Sequence, residues 1–343
     1  MNIPIANIYY LLLYAWDFLD VGDAVAADVA GPTTLMDLFA RVLIHGMDDQ
    51  LRRGLRREYA TQSEQVAGLR GRIDFGESVK ALVLPQGRTF CRFDDLNHDT
   101  LSNQIVRTTI LRLLRRADLD EGLAAQLSGL DRRLRSIGEI PLNSDHFHSA
   151  MLQRSGPRYA LLLRICRFIF DHMFPDQRDG SLKFSDFSDT ELERLFEAFV
   201  RNFYRRECRD WYEGDRHFNW HDVEASDEDL AFLPRLETDV TLCRDSRVVV
   251  IDAKFYGQSL AENRFGGNRV RSDNLNQLYI YVVNMLRRGD PLRDVEGILL
   301  YPTVDRTLDL EYRVHGQRIR VCTVDLNCPW PEVRRRLMGL LPA

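Results

Sequence analysis

The stretch VVVIDAKFYG, residues 248–257, constrains the fold more than any other part of the chain. Four β-branched residues in a row, apolar on both faces, read as a buried strand. Yet Asp252 and Lys254 sit in the same run. Taking a carboxylate and an ammonium out of water is costly unless they are paired or bound to a metal. The segment therefore needs a reason for charge inside a buried strand, in a second half whose order of helix, strand, strand, helix, strand reads as a mixed α/β core.

The strand before it supplies part of that reason. LETDVTLCRDSRVVVIDAKFY reads as a β-hairpin with its tip at Arg244-Asp245-Ser246-Arg247. With the tip centred between Asp245 and Ser246, residues whose numbers sum to 491 face each other, and Asp239 stands opposite Asp252. An odd loop length would make the two Asp diagonal neighbours instead. The period of two puts Lys254 on the face that carries Asp252. Like charges on paired positions repel, so two carboxylates beside a lysine make physical sense around a divalent cation. Mg²⁺ suits them, because it commonly takes one or two carboxylates, keeps waters and accepts a phosphate oxygen. The other reading of D-x-K is a solvated surface pair. Lysine usage favours the first. Of 46 Lys+Arg, only Lys80, Lys183 and Lys254 are lysine, and a compact ammonium is not interchangeable with a guanidinium.

Other residues join this picture less directly. Glu197 flanks the apolar stripe Leu192, Leu195, Phe196, Phe199, Val200, Phe203 of a helix opened by Ser188 and Glu191. It either supplies a third metal oxygen or faces solvent. Gln277 and Tyr281 are i,i+4 neighbours on the helix after the hairpin, positioned near the phosphate or merely packing. Arg264, Arg269 and Arg271, set around Gly266 and Gly267, suit a DNA backbone or are simply solvated.

The rest of the chain reads as two halves, 1–150 and 151–343, joined through a Pro-, Ser- and His-containing stretch at 141–157. NIYYLLLYAWDFL presents Ile8, Leu11, Leu12, Ala15 and Leu19 on one helical face, and a second helix runs from about 34 to 57. Residues 60–95 are β-rich, and helices follow near 99–117, 120–136 and 157–173. After the hairpin come a helix from 272 to about 288, strands near 296–302, 308–314 and 318–325, and a closing helix from Pro331. The six cysteines form no CxxC pair, as expected of reduced thiols in a cytoplasm. No run of 18 apolar residues marks a membrane span, and no GxxxxGK[ST] marks a nucleotide-binding loop. A net charge of −5 leaves nucleic acid open as a partner, since local basic stripes matter more than the total.

Asp239, Asp252-Ala253-Lys254 and the Gln277–Tyr281 pair resemble the PD-(D/E)xK nuclease pattern, with Thr238-Asp239 in place of Pro-Asp. More specifically, NIYYLLLYAWDFL, GLRGRIDF, FDDLNHDTLSNQIV, LPRLETDVTL, VVVIDAKFY, NLNQLYIYV and ILLYPTVD…CTVDL, in that order, resemble the McrC family, nuclease subunits of McrBC-type modification-dependent restriction systems. The resemblance implies an α/β carboxy-terminal PD-(D/E)xK endonuclease core and a separate α+β amino-terminal domain that docks on a partner. It implies an McrB-like AAA+ GTPase ring as that partner, stimulation of its GTP hydrolysis, and Mg²⁺-dependent cutting of double-stranded DNA containing modified cytosine. Carried over, Asp239 and Asp252 are metal ligands and Lys254 the catalytic lysine, with Glu197 a further metal ligand and Gln277 a further catalytic residue. Arg264, Arg269, Arg271 and Tyr281 become DNA contacts. Arg70, Arg72 and residues 88–97 are expected at the partner. A non-cutting GTPase-stimulating adaptor and a stand-alone repair nuclease are the alternatives.

Overall fold

The computed structural model describes residues 3–20, 34–153, 156–173, 189–214, 216–255, 261–262, 268–286, 294–303 and 306–342. It is a mixed α/β protein with several sheets. The chain divides into two compact units, but not near residue 150. One unit is Pro32–Leu182; the other joins Met1–Gly31 to Lys183–Ala343. The amino-terminal helix accounts for the difference. Ile5–Ala15 buries Asn7 through Tyr9 and Leu11 through Tyr14, far more than one stripe. Tyr10 stacks on Trp330 at 4.6 Å, and Tyr14 meets Phe199 edge-on at 5.8 Å. The Asn7 amide donates to the carbonyls of Leu326 and Cys328. Such contacts across some 320 residues leave no trace in local sequence pattern.

The Pro32–Leu182 unit begins with a helix, Leu35–Arg53, capped by Thr34, whose hydroxyl accepts the Asp37 amide at 3.0 Å. It packs with Leu101–Leu114, Glu121–Arg133 and Pro157–Met173. Gly46 permits the close approach, since a Cβ there would fall 2.5 Å from Leu162. The expected connector at 141–157 is instead largely a helix, Ser144–Leu152, for which Asn143 is the N-cap. Its caps and its buried Phe147 were masked by Pro141 and Ser144, which also read as turn residues. The β-rich segment is an antiparallel ribbon, Glu58–Ala67 with Arg88–Asn97, joined on its far side by Arg72–Ile73. A short helix, Phe75–Lys80, lies within the ribbon's end loop.

The other unit is built on a six-stranded sheet in the order 309–314, 317–324, 294–302, 247–253, 240–244, 212–213. The three middle strands, 317–324, 294–302 and 247–253, run parallel. The helix Ser272–Leu286 forms the crossover between 247–253 and 294–302, which accounts for strands buried on both faces. Gly297 lets this helix sit close: a Cβ there would be 2.8 Å from Val282. Asp189–Glu207 packs on the 247–253 strand, where Phe196 meets Phe255 at 5.8 Å. The capping box expected at Ser188 lies outside the described residues. No helix among the described residues is long and apolar enough to cross a membrane.

Candidate active site

The hairpin register fixes the site. Val240 pairs with Ile251, Leu242 with Val249 and Arg244 with Arg247, around a two-residue tip in which Asp245 takes φ 54°. Aspartate tolerates this left-handed conformation better than most residues. The ladder ends at Val240 and Ile251; Asp239, just beyond it, meets the partner strand through its carboxylate, which accepts the Ala253 amide. Asp252 is 1% exposed and Lys254 8%.

Three polar groups meet at the carboxyl end of the 247–253 strand. The Lys254 ammonium lies 3.1 Å from Asp252 Oδ1 and 3.8 Å from Asp239 Oδ2. Asp239 Oδ2 accepts the Ala253 amide at 2.9 Å. Asp252 Oδ2 is buried and without a hydrogen-bond partner. An orphaned carboxylate oxygen of this kind costs free energy unless something else satisfies it.

The electrostatics show the same crowding. Burial, and then the charge of Asp239, push the Asp252 carboxyl up to about 6 despite Lys254. Glu197, on the Asp189–Glu207 helix, is pushed up to about 7, first by burial and then by Asp239. Burial works against a charged Lys254, but the carboxylates of Asp252 and Asp239 outweigh it and hold the ammonium above its usual range. The arrangement accumulates negative charge around one ammonium.

Among the described residues no three His, Cys, Asp or Glu form a ready-made cage, so Glu197 is near the carboxylates without completing one. Asp239 and Asp252, one with an orphaned oxygen, are the hard oxygen donors that a divalent cation keeping waters as its other ligands would take.

The outlying residues divide. Gln277 and Tyr281 point together: the Gln277 amide donates to the Tyr281 phenol at 2.7 Å. Burial raises the Tyr281 phenol, and Asp252 and Asp239 raise it further, which puts it within electrostatic reach of the site. Both line a groove of about 400 Å³ with Trp220, Leu236, Asn276 and Ile280. The Trp220 indole is fixed by donating to the Pro234 carbonyl at 2.8 Å. Arg271 is half-buried just ahead of the crossover helix, and Arg269 is exposed in a two-residue strand pairing with Ala261–Glu262. Arg264 lies outside the described residues. Arg70 and Arg72 belong to the other unit, where both are exposed and the Arg70 guanidinium covers the Phe93 ring at 3.9 Å.

Sequence reasoning missed Arg201 and Arg216. Their side chains donate to the carbonyls of Asp239 and Thr238, at 3.0 and 2.9 Å. No local signal marks either; each reads as an ordinary surface arginine.

The family model described as "McrBC 5-methylcytosine restriction system component" matches residues 11–302. The Escherichia coli (strain K12) protein named "Type IV methyl-directed restriction enzyme EcoKMcrBC" is 31% identical over 340 residues, 98% of this chain and 97% of that one. A chain of the refined half-complex from the tetradecameric assembly of Thermococcus gammatolerans McrB AAA+ hexamers with bound McrC shares the fold. It has a TM-score of 0.60 at 20% identity and is matched over 98% of this chain and 76% of that one.

Proposed function

This chain belongs to the family of McrBC 5-methylcytosine restriction system components, and from that premise we propose that it is the DNA-cutting subunit, a metal-dependent endonuclease with a PD-(D/E)xK core. The observation that carries the reading is the buried, unpartnered Oδ2 of Asp252 beside Lys254 and Asp239. A divalent ion held by the two carboxylates would polarise the scissile phosphate and offset its developing charge.

The remaining work falls to the chain's own groups. The Ala253 amide fixes the Asp239 carboxylate, so that its orientation does not depend on a bound ion. Lys254, kept cationic by both aspartates, presents its ammonium to a water or to a phosphate oxygen and stabilises negative charge on the pentavalent phosphorus. Gln277 sets the Tyr281 phenol on the groove wall, where it can contact the DNA strand leading to the site.

The partner follows from the relatives. The Thermococcus gammatolerans assembly contains McrB AAA+ hexamers with bound McrC. A corresponding GTP-hydrolysing ring would find on this chain the ribbon of the 32–182 unit, whose end loop exposes Leu69, Phe75, Val79 and Leu82 beside Arg70 and Arg72. Solvent-facing apolar side chains grouped in this way mark an interaction surface. Reversing the charge at Arg70 and Arg72 is expected to weaken co-sedimentation with the ring and stimulation of its GTPase. Undiminished binding would remove them from the interface.

The decisive experiment is cleavage of a cytosine-methylated plasmid with the AAA+ partner, GTP and Mg²⁺, comparing wild type with Lys254→Ala. Cutting should fall by about 10²–10³-fold while GTPase stimulation persists. Equal cutting by both proteins would place the chemistry elsewhere. Stimulation without cutting, even by wild type, would make the chain an adaptor.

A further inference from the structure

Asp239 stands at a corner of the backbone. Leu236–Glu237 pairs with His217–Phe218 in a small two-stranded sheet, whereas Val240–Arg244 belongs to the main sheet. Thr238 and Asp239 carry the chain from one sheet to the other. Carbonyls at such a crossing lack the regular ladder partners that buried backbone needs. Two arginines take their place. Arg216 Nε donates to the Thr238 carbonyl at 2.9 Å while its terminal nitrogen pairs with Glu237 at 3.1 Å. Arg201 Nε donates to the Asp239 carbonyl at 3.0 Å. Beneath them the buried hydroxyls of Thr238 and Thr241 are 2.8 Å apart.

Arg201 differs from Arg216 in what it joins. It lies one helical turn beyond Glu197 on Asp189–Glu207, so its bond ties the helix bearing one carboxylate to the backbone bearing another. We propose that Arg201 is a positioning residue for the metal site: through the Asp239 carbonyl it holds Asp239 at the spacing from Asp252 that cation binding needs. The inference rests on the nuclease reading and adds to it the brace that sets ion affinity. Arg201 touches neither substrate nor ion, and its effect passes through Asp239. A planar guanidinium delivers Nε along a fixed direction, which a flexible ammonium does not reproduce.

The test uses the full-length chain with Mn²⁺ alone as the probe. Calorimetric titration is run on wild type, Asp252→Ala, Arg201→Ala and Arg201→Lys, with melting curves for each. Plasmid cutting with the partner is then measured across a Mg²⁺ series. Loss of the brace should weaken Mn²⁺ binding about 10-fold or more. Arg201→Lys should be nearly as weak as Arg201→Ala, and cutting should be restored at high Mg²⁺. Wild-type Mn²⁺ affinity in both Arg201 variants, with Asp252→Ala defective, overturns the brace and leaves the nuclease reading standing. Full rescue by lysine also overturns it, because charge alone would then suffice. Equal Mn²⁺ binding by wild type and Asp252→Ala would instead sink the metal site itself, and the brace with it. If Arg201→Ala melts early, the lysine variant decides.

Discussion

Charged side chains cluster at two places on the six-stranded sheet, one of them largely exposed apart from Glu296, and the two are built differently. Along the 294–302, 309–314 and 317–324 strands, three carboxylates (Glu296, Asp309, Glu311) face Arg318 and Arg320 of the sheet and Arg336 of the helix Trp330–Met338, with contacts of 2.9–3.5 Å. At the end of the 247–253 strand, Glu197, Asp239 and Asp252 gather around Lys254, which makes both ion pairs of the two aspartates among the described residues. The first group balances its charge internally. The second sets three carboxylates against one ammonium; each group holds one buried carboxylate oxygen without a hydrogen bond, but Glu296 Oε1 of the first still lies 3.5 Å from the Arg320 guanidinium. Clustered charge alone therefore does not identify a site; an uncompensated excess of one sign at buried residues is the stronger pointer.

The largest expected effect breaks the balanced group. Arg320→Met removes a guanidinium that reaches Glu296, Asp309 and the Leu340 carbonyl. Leaving Glu296, only 6% exposed, with one partner fewer should cost about 3 kcal/mol in urea unfolding. Cutting per folded molecule should be unchanged. A loss of cutting with normal stability would mean that this network serves the chemistry too.

The opposite sign is expected at the other place. Asp252 titrates at about 6 rather than 3.8, so at neutral pH its charge opposes folding by on the order of 2–3 kcal/mol. Asp252 and Lys254 pull against each other here, since the lysine gains from the pair; the deeper burial of Asp252 decides the sign. Asp252→Asn should raise the unfolding free energy by about 2 kcal/mol while abolishing cutting. Destabilisation would show that the ion pair outweighs the burial cost, and the comparison between the two groups would lose its force.

How much of this was legible in the sequence depends on the range of the interaction. The hairpin and its even register could be read because alternation and a two-residue tip are local. Lysine scarcity singled out Lys254 for the same reason. The division into units could not be read, because it depends on Tyr10 finding Trp330 and Asn7 finding Leu326. Nor could the brace at Asp239, since Arg201 and Arg216 differ from the chain's many other arginines only in what lies opposite them. Glu197 falls between: its helix was evident from the stripe, but its nearness to Asp239 depends on how that helix packs on the sheet.

Glu197 gives the smallest and most discriminating effect. Its pKa is about 7 in the folded chain against 4.5 for the ordinary carboxyl, so the folded state binds the proton more tightly. Stability is then highest at low pH and declines as pH rises from about 4.5 through 7, with the full penalty present above 7. Glu197→Gln removes the charge and with it the decline. Because the side chain is half-exposed, screening reduces the expected gain to about 1 kcal/mol at pH 8, shrinking towards zero near pH 4.5. Mg²⁺ should reverse the order, since wild type regains stability when its carboxylates bind an ion and the glutamine variant gains less. Paired urea titrations at pH 5 and pH 8, with and without Mg²⁺, measure all four quantities. A pH-independent difference between wild type and variant would make Glu197 an ordinary helix-surface residue. The excess negative charge would then belong to Asp239 and Asp252 alone.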